Sequence, residues 1–246
     1  MKNVKYLAIL ALLVYVFVPE IVYATNDLNI NVSTPGGELD TVGILVFMTL
    51  LSFLPSLIMT MTSFTRIIVV FSFIRNAMGT QNIPPSQVLV GLALIISFFT
   101  FAPTYEAVVE EAYEPYTQEA ITLEEAMDIG SGHMKKYMLK YTESSSLETM
   151  YNLSGDETVY EQAEDMPITT IAPAFVISEL KTAFKIGFLL YVPFLVVDLV
   201  IASILMSMGM FMMPPSQIAI PFKILLFVLV DGWALIIESL LRGLSG

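Results

Sequence analysis

Two long apolar runs near the C-terminus constrain the fold of this chain most strongly. Residues 186–206 and 218–241 are mostly apolar over 21 and 24 residues. At about 1.5 Å of rise per residue, a helix of either length reaches across a hydrocarbon core of about 30 Å. The pattern therefore predicts a helical hairpin of membrane-spanning type.

The turn of this hairpin is rich in methionine, whereas connections between helices are ordinarily polar. Thioether side chains form a flexible, polarisable apolar surface, so they either fill gaps between helices or, with several copies around an axis, close a pore. Such chains can part around a polypeptide and close again. The candidate gate residues are Met206, Met208, Met210, Phe211, Met212 and Met213.

Ionisable residues interrupt the apolar helices, and an ionisable group facing lipid is costly. A turn centred near residue 212 places Asp198 within roughly one helical turn of Lys223, which predicts an ion pair between them. The six charges are expected to form a buried network that either fixes the register of the helices or takes part in gating. They are Glu179, Lys181, Lys185, Asp198, Lys223 and Asp231.

A short motif occurs twice, 130 residues apart. Met78-Gly79-x4-Pro84-Pro85-Ser-Gln-Val88 matches Met208-Gly209-x4-Pro214-Pro215-Ser-Gln-Ile218, and each copy joins two apolar runs. Proline suits the first turn of a helix because that position needs no backbone donor. The match predicts two repeated hairpins, although two independent pieces of helix punctuation would give the same pattern. The predicted punctuation residues are Gly79, Pro84, Pro85, Gly209, Pro214 and Pro215.

Composition and charge place the chain among membrane proteins. Hydrophobic residues make up 56% of the sequence and the mean hydropathy is +0.75, above the usual range of about 45–50% for soluble domains. Residues 103–167 hold 15 acidic residues and three lysines, which accounts for the whole net charge of −12. The chain lacks a basic patch that could neutralise phosphates, so nucleic acid is not an expected partner.

The acidic segment contains its own helix signals. Thr122 and Glu125 have capping-box spacing, which predicts a short helix, and a second helix is expected at 133–141, after a break at Gly130 and Gly132.

The predicted fold is all-α and of integral membrane type, with four long kinked apolar helices in two repeated hairpins and an acidic, partly helical extracytoplasmic insertion. Lys2 and Lys5, the apolar residues 6–18 and the small residue Ala24 indicate a signal peptide at 1–24. A polar leader follows at 25–41. The first hairpin is expected at 42–103, with a kink at Pro55 and its second helix ending at Pro103. The acidic segment covers 104–172, and the second hairpin covers 173–246 with its helix opening near Pro173.

Little in the sequence suggests catalysis. Cysteine is absent and His133 is the only histidine, so no metal, cofactor or enzymatic activity is expected. The sharpest enzymatic alternative is an intramembrane aspartyl protease using Asp198 and Asp231. The Gly-x-Gly that such proteases place before one aspartate does not precede Asp231, and Lys223 competes for Asp198.

Six motifs resemble the FliP family of flagellar type III export proteins, which is related to virulence-secretion export subunits. The resemblance covers about 42–103 and 170–241 and leaves out the leader and the acidic segment. The motifs are Thr62-Ser-Phe-Thr-Arg66, Phe73-Ile-Arg-Asn-Ala-Met-Gly79, Glu179-Leu-Lys-Thr-Ala-Phe184, Val197-Asp-Leu-Val200, Ser207-Met-Gly-Met210 and Pro221-Phe-Lys-Ile-Leu-Leu-Phe-Val-Leu-Val-Asp-Gly-Trp233.

The resemblance implies a pentamer that assembles with FliQ and FliR, and with other membrane proteins of the export apparatus, at the flagellar basal body in the bacterial inner membrane. Unfolded flagellar subunits would pass through this gate, and a methionine-rich loop would act as its gasket. Phe211 stands where another methionine is common in the family. A virulence-system subunit and, on the repeat and the buried charges, a small-solute secondary transporter are the alternatives.

Overall fold

The computed structural model describes residues 33–34, 37–38, 48–49, 52–53, 56–80, 82–156, 158–210 and 212–245. The predicted signal peptide and the predicted kink at Pro55 lie outside this set. The chain divides into two compact units, Met1–Ser52 and Phe53–Gly246. In the first unit, strands β1 (Ser33–Thr34) and β2 (Gly37–Glu38) pair antiparallel.

The regular structure described in the second unit is helical, as the all-α prediction expected. A π-helical turn, Val109–Tyr113, joins the second helix to the third, and a 3-10 turn, Ala163–Asp165, precedes the sixth. The helices are α1 (Phe64–Ala77), α2 (Ser86–Val108), α3 (Glu114–Thr117), α4 (Leu123–Lys140), α5 (Ser144–Ser154), α6 (Ile168–Ser207), α7 (Pro215–Leu229) and α8 (Gly232–Ser245).

Among the residues that the structure describes, two helices are long and apolar enough to cross a membrane. They are the run Ser86–Thr117, which starts with α2, and the 40-residue α6. Helices α7 and α8 together form a third candidate span that is bent by 61°. The predicted single helix over 218–241 is therefore wrong. The helix breaks at Asp231, whose φ is +50°. A Cβ on the next residue, Gly232, would lie 2.3 Å from the Phe227 ring, so only glycine leaves room for this ring.

Prolines end fewer helices than the sequence predicted. Pro103 lies inside α2, and Pro173 and Pro193 lie inside α6, which starts at Ile168 after the N-cap Pro167. A proline removes one backbone hydrogen-bond donor, but the hydrogen bonds of the neighbouring turns keep a long helix continuous. A π-helical turn follows α2. The predicted helix end at Pro103 and start at Pro173 are both wrong.

Helix α1 forms the centre of the main core. Ile67, Val70, Phe71 and Ile74 are fully buried, at the spacing that places side chains on one face of a helix. This face packs with residues of α2, α6, α7 and α8. Helix α6 approaches α1 closely at Gly187, where an added Cβ would lie 2.5 Å from the Phe73 ring.

The two Gly-x4-Pro-Pro turns begin with the same backbone geometry, although among the described residues only the first contains a cis peptide bond, Ile83–Pro84. Gly79 and Gly209 have φ of +75° and +76°, in the left-handed region that favours glycine. The amide of Met78 bonds to Ile74 and that of Met208 to Ile204. In each copy the glycine amide bonds three residues back, and the next helix begins at or just after the second proline.

The acidic segment folds as helices packed on α6. The predicted capping box is present: Glu125 N donates to Thr122 Oγ1 at 3.2 Å and Thr122 N donates to Glu125 Oε2 at 2.8 Å. The predicted break at Gly130 and Gly132 is wrong, because α4 continues through both. A glycine inside a helix costs about 1 kcal/mol relative to alanine, which the packing of Tyr137 and Met138 offsets.

Candidate functional site

The methionine-rich turn follows a Schellman motif at the end of α6. Gly209 N donates to Met206 O at 3.1 Å and Met210 N donates to Leu205 O at 3.0 Å. These bonds satisfy two carbonyls at the helix end and send the chain away from the helix axis. The local sequence therefore fixes where the methionines are presented.

The methionines of this turn are exposed in the isolated chain. Met212 is 98% exposed and Met208 is 68% exposed, and Met206, Met210 and Met213 are exposed as well. Phe211 lies outside the described residues. In the first turn, the equivalent of Met208 is Met78, which is only 5% exposed and belongs to the core. Both turns place their glycine in the same conformation, but core residues pack against Met78 and leave Met208 exposed. A cluster of exposed apolar side chains marks an interaction surface.

The ion pair between α6 and α7 is the one that the hairpin register predicts. Lys223 Nζ donates to Asp198 Oδ2 at 2.6 Å, and the lysine side chain is 4% exposed. Asp198 is about a third exposed, and its Oδ1 has no partner among the described residues. The pair ties the two helices together behind the methionine turn.

A second buried pair joins α1 to α6. The guanidinium of Arg66 contacts Glu179, whose side chain is fully buried. Arg66 Nη1 also donates to Gly243 O at 3.4 Å, and Tyr141 OH donates to Leu244 O at 2.5 Å. Positive charge is favourable at a helix C-terminus, so the pair also holds the end of α8.

The predicted six-residue buried network is wrong for Lys181, Lys185 and Asp231, which are exposed. Lys185 Nζ donates to Glu143 Oε1 at 2.7 Å, and Lys181 Nζ lies 3.6 Å from Glu143 Oε2. The hydrogen bond from Lys185 lowers the pKa of Glu143 below its ordinary value. Helical spacing places the two lysines on one face, but that face meets the acidic segment instead of the core.

Sequence reasoning missed the partners that come from distant parts of the chain. Arg66 and Glu179 are 113 residues apart. Tyr137 OH accepts from Ser63 N at 3.2 Å and lies 2.8 Å from Ser63 Oγ, across 74 residues. Burial raises the pKa of Tyr137. An arginine at the start of an apolar run was the one local signal, because a buried charge requires a partner.

Within the part of the chain that the structure describes, no group of three His, Asp or Glu side chains could hold a metal ion. His133, the only histidine of the sequence, is partly buried, with Nε2 3.1 Å from Glu111 Oε2. The predicted pairing of Asp198 and Asp231 gains no support, because Lys223 binds the first and the second is exposed.

The fold and this turn define a class: helical proteins with apolar helices of membrane-spanning length that present an exposed apolar turn. Residues 47–240 match the model of the FliP family. The chain belongs to the FliP family. The matched range includes the acidic segment, so the expectation that the resemblance leaves this segment out was wrong.

Three relatives show the extent of the similarity, and each is a flagellar biosynthetic protein FliP. The protein of Bacillus subtilis is 48% identical over 210 residues, which cover 85% of this chain and 95% of the relative. That of Caulobacter vibrioides is 42% identical over 251 residues, covering 100% of this chain and 94% of the relative. That of Buchnera aphidicola subsp. Acyrthosiphon pisum is 50% identical over 196 residues, and the chain spans about half of that relative's length, 52%.

Proposed function

We propose that this chain is a pore-forming subunit of the flagellar type III protein export gate. Several copies, five by its resemblance to the family, would surround a central passage together with FliQ and FliR. Unfolded flagellar subunits would pass through it across the inner membrane, with residues 104–172 on the extracytoplasmic side. The proposal includes no catalytic step and no cofactor, so other components would supply the energy.

The exposed methionine turn is the observation that carries this proposal. A turn that faces water ordinarily carries polar residues, whereas the five exposed methionines of this turn form a flexible apolar surface. Arranged around an axis, such a surface excludes water when closed and yields to an extended polypeptide. The matching glycine conformation and hydrogen bonds at the start of the two turns support the proposed hairpin repeat, with only the second copy carrying the methionine surface.

The gasket is tested by replacing Met210, Met212 and Met213 with alanine in the assembled complex. The shorter side chains leave a wider opening, so the closed complex should conduct small ions in a planar bilayer. Met127→Ala is the matched control, because that methionine is also exposed, at 66%, but lies on α4, outside the turn. Conductance that stays at the wild-type level in the triple variant contradicts a sealing role.

The ion pair behind the turn supplies a second test. Asp198→Asn leaves the buried ammonium of Lys223 without its carboxylate, which should loosen the hairpin and impair assembly or export. Normal assembly together with normal export of flagellar subunits would make the pair incidental to function.

A small-solute transporter is the competing function, because transporters also combine repeats with paired charges in apolar helices. Purification in mild detergent separates the two. A ring that contains two other small membrane proteins supports the gate, and a single copy with saturable solute binding supports the transporter.

A deletion strain distinguishes the flagellar from the virulence system. Loss of motility with virulence secretion intact assigns the chain to the flagellar system, and loss of virulence secretion with motility intact assigns it to the virulence system.

A further inference from the structure

The first Gly-x4-Pro-Pro turn contacts the helix that follows the methionine turn. A Cβ added to Gly79 would lie 3.1 Å from Ile220 Cγ1 and 3.7 Å from Ile220 Cδ1. Ile220 lies in the second turn of α7, which starts at Pro215. A side chain at residue 79 would therefore press against α7, and the φ of +75° independently favours glycine at this position.

Side-chain hydrogen bonds hold the first turn together. Thr80 Oγ1 donates to Ile83 O at 2.6 Å, and Arg75 Nη1 donates to Ser86 Oγ at 2.9 Å. The second of these bonds joins the end of α1 to the start of α2. Met78 adds an anchor in the core, where it is only 5% exposed. The first turn is thus tied to both of its helices and to the core.

The methionine turn has apolar residues at the matching positions. At the offset of 130 residues, Thr80 corresponds to Met210 and Arg75 corresponds to Leu205. Among the described residues, no side-chain hydrogen bond joins the two ends of this turn, and the Ser207 hydroxyl donates back within α6 at 2.7 Å. The position of α7 relative to the end of α6 must therefore be set by contacts outside the turn.

Two such contacts fix the start of α7. Lys223 Nζ donates to Asp198 Oδ2 at 2.6 Å, which ties α7 to α6. The contact between Gly79 and Ile220 ties α7 to the first turn, and it is the nearer of the two to the methionines along the chain. The residue before Ile220, Ala219, is fully buried. The start of α7 is therefore packed closely, although the turn that precedes it is exposed.

We propose that Gly79 is a positioning residue for the methionine turn, and that the first turn is a rigid support on which α7 rests. This inference rests on the proposed function. The Schellman bonds fix the end of α6 and the contact with Gly79 fixes the start of α7, so the open and closed gates differ in the methionine side chains and not in the position of α7. A thioether side chain with three rotatable bonds can make this change while both helices stay in place.

The first test locks the contact with a disulfide. The chain has no cysteine, so Gly79→Cys/Ile220→Cys introduces its only two thiols. A sulfur at the position of Ile220 Cγ1 would lie 3.1 Å from the Cβ of residue 79, within the reach of a disulfide. Oxidation of the assembled complex should form the bond, and flagellar subunits should be exported at the same rate as from the reduced complex.

Two results of this test would overturn the proposal. Export that stops on oxidation and returns on reduction would show that α7 leaves Gly79 when the gate opens. Thiols that do not pair would show that the contact is absent.

The second test separates the contact from backbone strain. Gly155→Ala is the matched control, because its φ is +69° and an added Cβ meets nothing within 4 Å. It should lower Tm by about 2–8 °C and leave the closed complex non-conducting. Gly79→Ala should lower Tm further, and the displaced α7 should make the closed complex conduct small ions in a planar bilayer.

Two variants at Ile220 complete this test. Ile220→Ala removes the support without backbone strain, so it should also conduct, and it replaces Gly79→Ala if that variant does not assemble. Gly79→Ala/Ile220→Ala returns part of the lost volume to the contact. It should therefore conduct less than either single variant while its Tm stays low, a separation of conductance from stability that a merely structural role does not predict.

The conductances decide between the possible failures. Equal conductance of Gly79→Ala and Gly155→Ala, or a double variant that conducts as much as Gly79→Ala, would overturn the proposal. If the alanine variant of Met210, Met212 and Met213 conducts while the variants at Gly79 and Ile220 do not, the gasket stands and the support fails. If that methionine variant does not conduct, the gasket itself fails and its support falls with it.

Discussion

The buried pair of Arg66 and Glu179 allows a quantitative prediction about stability. Both side chains are almost fully buried, at 6% and 0% exposure, so solvent does not screen either charge. Arg66→Met or Glu179→Leu removes one partner and leaves the other charge uncompensated. Each single substitution should lower the free energy of unfolding by about 3–5 kcal/mol. In a domain of this size, that corresponds to a fall in Tm of about 6–20 °C.

The double variant Arg66→Met/Glu179→Leu should be far more stable than the sum of these effects. It removes both charges and also Arg66 Nε and Glu179 Oε2, which are buried without a hydrogen-bond partner among the described residues. The remaining losses are the bond from Arg66 to Gly243 O at 3.4 Å, about 1 kcal/mol, and the contact of the guanidinium with the Tyr141 ring, at 5.5 Å from the ring centroid. The double variant should therefore unfold within about 1–2 kcal/mol of wild type.

The assay is denaturant unfolding in detergent followed by circular dichroism, for wild type, both single variants and the double variant. Glu238→Gln serves as the control, because it removes a carboxylate from an exposed arginine pair on α8 and should change the free energy of unfolding little. If the double variant loses as much stability as the two single variants added together, the charges are not coupled and the reasoning fails.

Three further predictions concern packing and the acidic segment. Gly187→Ala forces a methyl group into the Phe73 ring and should destabilise the fold by about 1–3 kcal/mol. Gly91→Ala is the control, because an added Cβ there meets nothing within 4 Å. Equal melting temperatures of the two variants would contradict the close approach of Gly187 to Phe73. Tyr137→Phe leaves the buried serine at the start of α1 unbonded and should cost about 1–3 kcal/mol in unfolding experiments; no change would mean that water replaces the phenol. Lys185 lowers the pKa of Glu143 from its ordinary value of 4.5, so Glu143 contributes to the stability of the fold above pH 4.5, and this contribution is lost as the pH falls through the lower pKa of the folded state. Lys185→Gln should therefore weaken the loss of stability at acid pH. An unchanged dependence of stability on acid pH would refute the role of this pair.

The sequence by itself determined the local features. The Gly-x4-Pro-Pro motifs placed both turns, because only glycine readily adopts φ near +75° and only the first helical turn accepts proline. The capping box at Thr122 and the register that pairs Asp198 with Lys223 also follow from residues close together along the chain or across one turn. Family motifs, which are likewise local strings, identified the family.

Only the tertiary structure decided which residues meet across the fold. Tyr137 bonds to Ser63 over 74 residues and Arg66 contacts Glu179 over 113, and no local pattern encodes such pairs. The break at Asp231 depends on the Phe227 ring packing against the glycine that follows. The exposure of Met208 and the burial of Met78 depend on which neighbours cover each turn, although both turns begin with the same glycine conformation. Propensity acts within a few residues, whereas burial is set by the packing of helices that are distant in sequence.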